Sequence, residues 1–484
     1  MELRPLTRLI VVSNRVQAPE QPGDAPAGGL AVALSAALRE YSGFWFGWSG
    51  ETTPEFSNKI EMRRVADVTT VTVDLEEGDY QEYYNGFANT TLWPLFHYRI
   101  DLTAYDRSFS EGYERVNRRF AEVLAPLIEP DDLIWVHDYH LIPLGRELRR
   151  LGVQNPIGFF LHIPWPAPQV LTTLPRHREL VESMFHYNLV GFQTKEWLSA
   201  FEAYVLDEAG GRPSPDGCVQ AFGRKLRAQA FPIGLDLDAF LVLARSPVAQ
   251  EAYERMAANT SRSLIVGVDR LDYSKGLEER LHGFERFLAE NPDLRRDVLY
   301  LQVAPTSRGE VEAYQDLRER IDALAGRING VYADLDSSPI RYVNRSYRRD
   351  ELAGIYRAAR VALVTPLRDG MNLVAKEYVA AQDPEDPGVL MLSRFAGAAT
   401  QMPQALVINP YSREEVAEGL KRALEMPRDE RISRWKALMN GIRQSTVEIW
   451  RDSFVEALIA AHEPQLQLDD PNADEAVDLE APEP

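Results

Sequence analysis

The sequence predicts an α/β chain of two facing, doubly wound domains with a cleft between them. Three observations carry that expectation. Eight short apolar runs, rich in β-branched residues, alternate with long amphipathic stretches, the pattern of a parallel sheet wound with helices. A Pro/Gly-marked segment, Ala230-Phe-Pro-Ile-Gly-Leu-Asp236, separates four of the runs from the other four and suits a hinge. Almost every run is followed at once by a charged or strongly hydrogen-bonding residue.

The runs, in order, are Leu9–Ser13, Leu133–Val136, Ile157–Leu161, Leu189–Phe192, Leu264–Val268, Val298–Val303, Val361–Thr365 and Val407–Ile408. The helical stretches between them include Leu30–Tyr41, Ser110–Leu124, Leu277–Glu290, Gly309–Leu324 and Val374–Gln382. These elements give a first domain over residues 1–235 and a second over 236–462. The last helical pattern, Arg431 to Ala461, is long enough to cross back to the first domain. Residues 463–484 hold eight acids, four prolines, no Lys or Arg and no aromatic residue. Such a segment cannot bury enough surface to offset its ordering entropy, so a disordered acidic tail is expected.

The 484 residues suit two to four domains, and 45% hydrophobic with 26% charged residues is ordinary for a globular enzyme. A formal charge of −20 argues against nucleic-acid or anionic-membrane partners, which need a basic face. One cysteine, Cys218, excludes an intrachain disulfide and a multi-cysteine metal site. No apolar stretch approaches the 18 residues of a spanning helix, and Leu9–Val12 reads as a first strand, not a signal peptide. A cytoplasmic address is expected. A homo-oligomer, dimer or tetramer, is left open.

Ligands of open parallel sheets bind beyond the carboxyl ends of the strands. The residues there are Asn14-Arg15, His137-Asp138, His162, Gln193-Thr194, Asp269-Arg270, Arg308, Arg368-Asp369 and Asn409. Together they read as two rims of one cleft. Arg15, Arg270, Lys275 and Arg308 put cations at loop mouths of an acidic chain, which points to anionic small molecules, above all phosphates. Arg270 and Lys275, five apart across a strand-to-helix turn, can grip one diphosphate; the plain alternative is a surface ion pair of Arg270 with Asp269 or Asp272. Gly28-Gly29 opens a helix and allows close approach to an anion; the plain alternative is a flexible turn.

The segment Thr365-Pro-Leu-Arg-Asp-Gly-Met-Asn-Leu-Val-Ala-Lys-Glu377 reads as strand, tight loop and helix. Its amides over Gly370 to Leu373 suit a phosphate, and Asp369 and Glu377 suit sugar and ribose hydroxyls on either side. The alternative for Glu377 is an exposed helix glutamate paired with Lys376 or Arg368. Tyr83-Tyr84 and Trp93 offer aromatic platforms for a sugar, or simply core. No P-loop, H-E-x-x-H or G-x-S-x-G string occurs. Asp236-Leu-Asp238 and Asp334-Leu-Asp336 match the D-x-D metal string of some transferases, but neither sits with the cations, and both are read as decoys.

Val12-Ser-Asn-Arg15, Gly28-Gly29, Trp45-Phe-Gly-Trp-Ser-Gly50, Trp135-Val-His-Asp-Tyr-His140, Phe160-Leu-His-Ile-Pro164, Asp269–Gly276, Ala304-Pro-Thr-Ser-Arg308 and Thr365–Glu377 closely resemble the trehalose-6-phosphate synthases, in order over nearly all of residues 8–455. The resemblance implies a GT-B fold and retaining transfer of glucose from a nucleotide-glucose to glucose 6-phosphate, with no metal and no cofactor, the nucleotide-glucose being a substrate. It implies an acceptor phosphate on Arg15, Tyr84 and Arg308, an acceptor pocket shaped by Trp93 and Ile163, and contacts of Asp138 and His162 at the reacting centre. It implies Arg270 and Lys275 on the donor diphosphate with Gly28 and Gly29 closing over it, and Asp369 on the glucose hydroxyls. Leu373, Val374, Ala375, Lys376 and Glu377 would line the donor, Glu377 on the ribose, with Tyr347 near the base. It also implies a front-face mechanism in which the leaving phosphate takes the acceptor's proton.

The chain carries no D-x-D-x-T/V phosphatase signature, so dephosphorylation is expected of a separate enzyme. Two rivals stand beside this reading. One is the same chemistry on another phosphorylated acceptor, as in the glucosylglycerol-phosphate synthases. The other is a non-catalytic sugar-phosphate sensor, against which the full set Arg270, Lys275, Asp369 and Glu377 speaks. The donor base, whether UDP, ADP or GDP, is left open.

Overall fold

The computed structural model describes residues 8–16, 34, 38, 41–65, 68–258, 261–309 and 311–466. The first sheet has ten strands: β1 (Leu9–Arg15), β2 (Gly43–Thr53), β3 (Ile60–Val65), β4 (Val68–Glu76), β5 (Leu133–His137), β6 (Ile157–Phe160), β7 (Leu189–Phe192), β8 (Arg212–Pro213), β9 (Val219–Ala221) and β10 (Arg224–Ala230). Their spatial order is β3-β4-β2-β1-β5-β6-β7-β10-β9-β8, with β3, β8 and β9 pairing antiparallel and the rest parallel. The second sheet has β11 (Ser263–Val268), β12 (Val298–Val303), β13 (Ile340–Val343), β14 (Val361–Val364), β15 (Val389–Ser393) and β16 (Leu406–Ile408), all parallel, in the order β13-β12-β11-β14-β15-β16. Counted from its own first strand, that order is 3-2-1-4-5-6, the doubly wound dinucleotide-binding arrangement.

Both faces of each sheet are covered. On β1, Ile10 and Val12 enter one core and Leu9 and Val11 the other, all fully buried. That is why the run reads as continuously apolar and not as an alternation. All eight runs are strands. Strands β2, β3, β4, β8, β9, β10, β13 and β15 were not foreseen, β4 among them although Val68-Thr-Thr-Val-Thr-Val73 is strongly β-branched. β15, Val-Leu-Met-Leu-Ser, has little β-branching, and the two-residue β8 and three-residue β9 fall below any periodic signal.

Among the helices, Leu277–Glu290 and Leu373–Ala381 lie where expected. The stretch expected over Gly309–Leu324 is a helix from Glu312 to Tyr332. Of the stretch Leu30–Tyr41, only Leu34 and Leu38 are described as helical; both are buried. The long last pattern is two helices, Arg428–Arg443 and Val447–Leu466, broken where Thr446 bridges to Leu235 and Val447 N–H reaches Leu235 O at 3.1 Å. The final helix lies on the first sheet: Trp450 and Phe454 pack on Trp135 at 4.7 and 4.6 Å between ring centres. It continues to Leu466, four residues into the segment expected to be a tail; residues 467–484 lie outside the described residues.

Candidate active site

Strand order reverses once in each sheet, between β1 and β5 and between β11 and β14. Crevices at such points are where doubly wound sheets bind ligands. Arg15 and Asp138 flank the first, and the Asp269–Gly276 and Thr365–Leu373 loops flank the second.

Asp138 follows β5 with φ 75°, a left-handed conformation costly for a non-glycine residue, held because its N–H donates to Phe160 O at 2.8 Å. Its Oδ1 accepts the His162 N–H at 3.2 Å. Burial pushes its carboxyl up to about 6, against the Tyr139 and His162 amides and the Arg308 and Arg270 cations, so it is ionised at neutral pH.

The proton on His162 can be placed. Gln193 Oε1 accepts the Ile233 N–H at 3.0 Å, which turns the Gln193 amide N–H₂ towards His162 Nδ1, 3.4 Å away. Nδ1 is therefore the acceptor, and Nε2 carries the proton, donated to His137 Nδ1 at 3.0 Å. Burial pulls the imidazole down to about 3. Neutral and engaged at both nitrogens, His162 cannot serve as a proton acceptor. What it offers the second domain is backbone: a Cβ at Gly370 would lie 1.9 Å from His162 O and 3.1 Å from the Cα of Ile163, so only glycine admits this approach.

Beside it runs a chain of rings and cations. Arg15 lies exposed at the end of β1, over the Trp48 ring at 5.6 Å, and a Cβ at Gly50 would meet its guanidinium at 2.5 Å. Trp48 packs on Tyr84 at 5.5 Å, and Tyr84 stacks on His140 at 5.9 Å and 12°. His140 packs on Tyr139 at 4.0 Å, and the Tyr139 hydroxyl accepts from Arg308 at 3.0 Å across the two sheets. Arg308 lies on the Trp93 face at 3.9 Å and donates to the Tyr314 hydroxyl. Trp93 Nε1 and Tyr314 both reach the buried Asp272, at 3.4 and 3.3 Å. Burial would raise the Asp272 carboxyl, but Arg308, Arg270 and Lys275 outweigh it and hold it at about 2.

On the other side Lys275 Nζ pairs with Asp369 Oδ2 at 2.6 Å, and Asn372 Nδ2 donates to the same oxygen at 3.1 Å. Burial raises the Asp369 carboxyl; Lys275 more than offsets it and leaves it below its ordinary value. Arg270 is exposed and makes no ion pair among the described residues. The carboxylates offered as its partners are taken: Asp269 by buried Arg280 at 2.7 Å, Asp272 by the Trp93–Tyr314–Arg308 group. Glu377 is buried, not exposed, and pairs with Arg349 at 2.8 Å. Arg368 reaches instead to the first domain, over Tyr98 at 3.8 Å and to Glu196 at 3.5 Å.

The helix carrying Leu373, Val374 and Ala375 starts after Asn372, at φ 79°, with its first-turn amides free of helical partners. The side chain of Lys376, expected along the donor, is fully buried and bonded to Ile233 O and Gln401 Oε1. Tyr347 lies half-buried under Arg345 at 4.5 Å. Gly28 and Gly29 lie outside the described residues. Both D-x-D strings serve local structure: Asp236 caps Ala239 N–H at 3.1 Å, and Asp334 pairs with Arg296. Gln193, read from the sequence as a cleft-rim residue, is there; Tyr139, Asp272 and Arg349 were missed as site residues. Tyr139 and Asp272 stand inside quoted motifs, whereas nothing local marks Arg349, 28 residues from its partner.

Two doubly wound sheets whose reversal points meet, with cations from both gathered around one crevice, define a GT-B glycosyltransferase. The glycosyltransferase family 20 model matches residues 7–460, and the chain belongs to that family. The chain is 49% identical over 459 residues to the trehalose-6-phosphate synthase of Sinorhizobium fredii, covering 94% of this chain and 99% of the relative. A UDP-forming α,α-trehalose-phosphate synthase from Burkholderia xenovorans, solved in complex with glucose 6-phosphate, superposes with a TM-score of 0.90 at 51% identity over 93% of this chain and 99% of that one. An E. coli structure bound with UDP-2-fluoro glucose gives 0.88 at 45% identity over 93% and 98%.

Proposed function

We propose that this chain transfers glucose, with retention, from a nucleotide-glucose to glucose 6-phosphate, giving α,α-trehalose 6-phosphate. The observation that carries this is the cross-sheet group Arg308–Tyr139–Trp93 beside the ion pair Lys275–Asp369: two cationic positions at adjoining reversal points, one for each phosphorylated substrate. Residues 1–235 would supply the acceptor side and 236–462 the donor side. UDP is the nucleotide we propose, since these solved relatives are named UDP-forming.

In this reading Arg15, Tyr84 and Arg308 hold the acceptor phosphate, with Trp93 and Ile163 shaping the sugar pocket. Arg270, Lys275 and the first-turn amides from Leu373 hold the diphosphate, Asp369 the glucose hydroxyls and Glu377 the ribose. The anomeric carbon–oxygen bond to the diphosphate breaks while a bond to the acceptor's anomeric oxygen forms on the same face. The acceptor hydroxyl proton needs a base. The departing diphosphate oxygen takes it, as the resemblance to the family's front-face mechanism implies; His162, neutral with both nitrogens engaged, does not compete for it. Fixed cations stabilise the charge developing there more in the transition state than in the ground state. The carboxylate of Asp138 is left to orient acceptor hydroxyls. The cytoplasm is the address we propose.

The test incubates purified protein with UDP-, ADP- or GDP-glucose and with glucose 6-phosphate, glucose or glycerol 3-phosphate, following nucleotide release and product. UDP release that needs glucose 6-phosphate supports the reading. Equal use of glucose, or preference for glycerol 3-phosphate, contradicts it.

A further inference from the structure

Lys376 is fully buried and has no carboxylate partner among the described residues. An ammonium so placed is costly unless its hydrogen bonds matter. Burial alone pulls it down to about 7. Its bonds have a direction. Nζ donates at 2.8 Å to Ile233 O, in the segment that connects the two sheets, and at 2.7 Å to Gln401 Oε1. The N–H of that same Ile233 donates to Gln193 Oε1 at 3.0 Å, Gln193 holds His162 Nδ1, and His162 donates to His137. A chain of contacts thus runs from the helix Leu373–Ala381, through the backbone C=O and N–H of one connecting residue, Ile233, to the histidine at the mouth of β6.

We propose that Lys376 is a positioning residue for glucosyl transfer, tying the donor helix to the crossover at Ile233 and, through Gln193, setting the orientation and tautomer of His162. The inference rests on the function proposed above and reassigns this side chain from donor contact to interdomain registration. Its consequence is a split in kinetics. Losing the tie misplaces the two halves of the site, which lowers kcat, while donor groups held by Lys275, Arg270 and Glu377 keep the nucleotide bound.

The test compares Lys376→Met, which fills the space without donors, with Lys376→Gln, which keeps an uncharged N–H₂ donor group, and with Gln193→Met. Expected for Lys376→Met are a kcat about tenfold lower, a KM for nucleotide-glucose within about threefold of wild type, and amide exchange at Ile233 at least about tenfold faster. Lys376→Gln should recover part of kcat, and adding Gln193→Met to Lys376→Met should cost less than the two effects multiplied, because both break one path. A tenfold rise in nucleotide-glucose KM with kcat intact would return Lys376 to the donor site. Wild-type kcat and exchange in both Lys376 variants would leave it a filler of space. Should Lys376→Met fail to fold, Lys376→Gln and Gln193→Met carry the same comparison. Should the wild type fail to transfer glucose to glucose 6-phosphate, the function falls, and the exchange rates still decide the tie.

Discussion

Arg308 and Lys275 are the proposed phosphate cations of the two substrates, and without ligand they are held in opposite ways. Arg308 rests on an aromatic face and donates to two neutral phenols, with Asp272 at 3.8 Å as its nearest ion-pair contact. Lys275 is in direct contact with a carboxylate, Asp369, at 2.6 Å. A cation whose hydrogen bonds go to neutral partners, its carboxylate lying farther off at 3.8 Å, keeps more of its field for an arriving phosphate. A cation already paired must share or exchange its partner. In the proposed assignment the acceptor side is set in advance, while the donor side is latched until the nucleotide-sugar supplies charge for Lys275 and hydroxyls for Asp369.

The largest expected effects are on the latched side. Lys275→Ala and Arg270→Ala should each cut kcat/KM by roughly 10²-fold or more, about 3 kcal/mol of charge stabilisation in the transition state. Steady-state kinetics with varied nucleotide-glucose measure this, and wild-type constants in either variant would remove that residue from the donor site. On the acceptor side, Arg308→Ala and Arg15→Ala should raise KM for glucose 6-phosphate by about tenfold to a hundredfold and also lower kcat, the range of one charge-assisted phosphate bond. UDP affinity for the free enzyme should change far less. Variants that keep the full preference for glucose 6-phosphate over glucose would break the comparison at its acceptor end.

A smaller effect separates the two carboxylates. Asp138 is raised to about 6, whereas Asp369 is depressed. The ionised form of Asp138 is therefore lost as pH falls through about 6, and activity with it, while Asp369 stays charged. The stability sign is opposite for the two groups. Asp138 favours the folded state at low pH and that contribution is lost as pH rises through 6; the contribution of Asp369 is present above its unfolded value and lost in acid. Carbon-13 NMR of the Asp138 carboxyl separates its titration from that of the acceptor phosphate, which falls in the same range. A midpoint near 4 would contradict the assignment. The smallest effect belongs to the acidic end: deleting residues 467–484 should leave kcat unchanged and Tm within a few degrees, and a large drop in Tm would show that it docks.

The residues at the strand ends were more legible in the sequence than the contacts between them. Arg15, Asp138, Arg270, Arg308 and Asp369 all follow apolar runs, because parallel strands end in the crevice and their next residues must face it. Partners brought in by the fold left no local signal. Lys275 and Asp369 are 94 residues apart, Arg308 and Tyr139 are 169 apart, and spacing along the chain says nothing of either contact. Lys376 shows the limit most clearly. The resemblance implied a donor contact for it, but the residue before Glu377 on a helix points about 100° away, here into the crossover. Eight buried parallel strands were foreseen from continuous apolar runs; β4, whose valines alternate with threonines, and β15, with leucine and methionine doing the same packing, were not.

The difference between a set and a latched cation is tested most directly by Asp369→Asn, measured with UDP and with UDP-glucose. Removing the carboxylate releases Lys275, so UDP, which has no glucose for Asp369 to hold, should bind about threefold to tenfold tighter, the range of a partly buried ion pair. Glucosyl transfer from UDP-glucose should fall by at least about 10²-fold in the same protein, because the hydroxyl contacts are gone. Isothermal titration gives the first number and initial rates the second. Tighter UDP with lost transfer is the predicted result; UDP binding weaker than in the wild type would show that Asp369 orients Lys275 for the diphosphate, and the latch would be wrong.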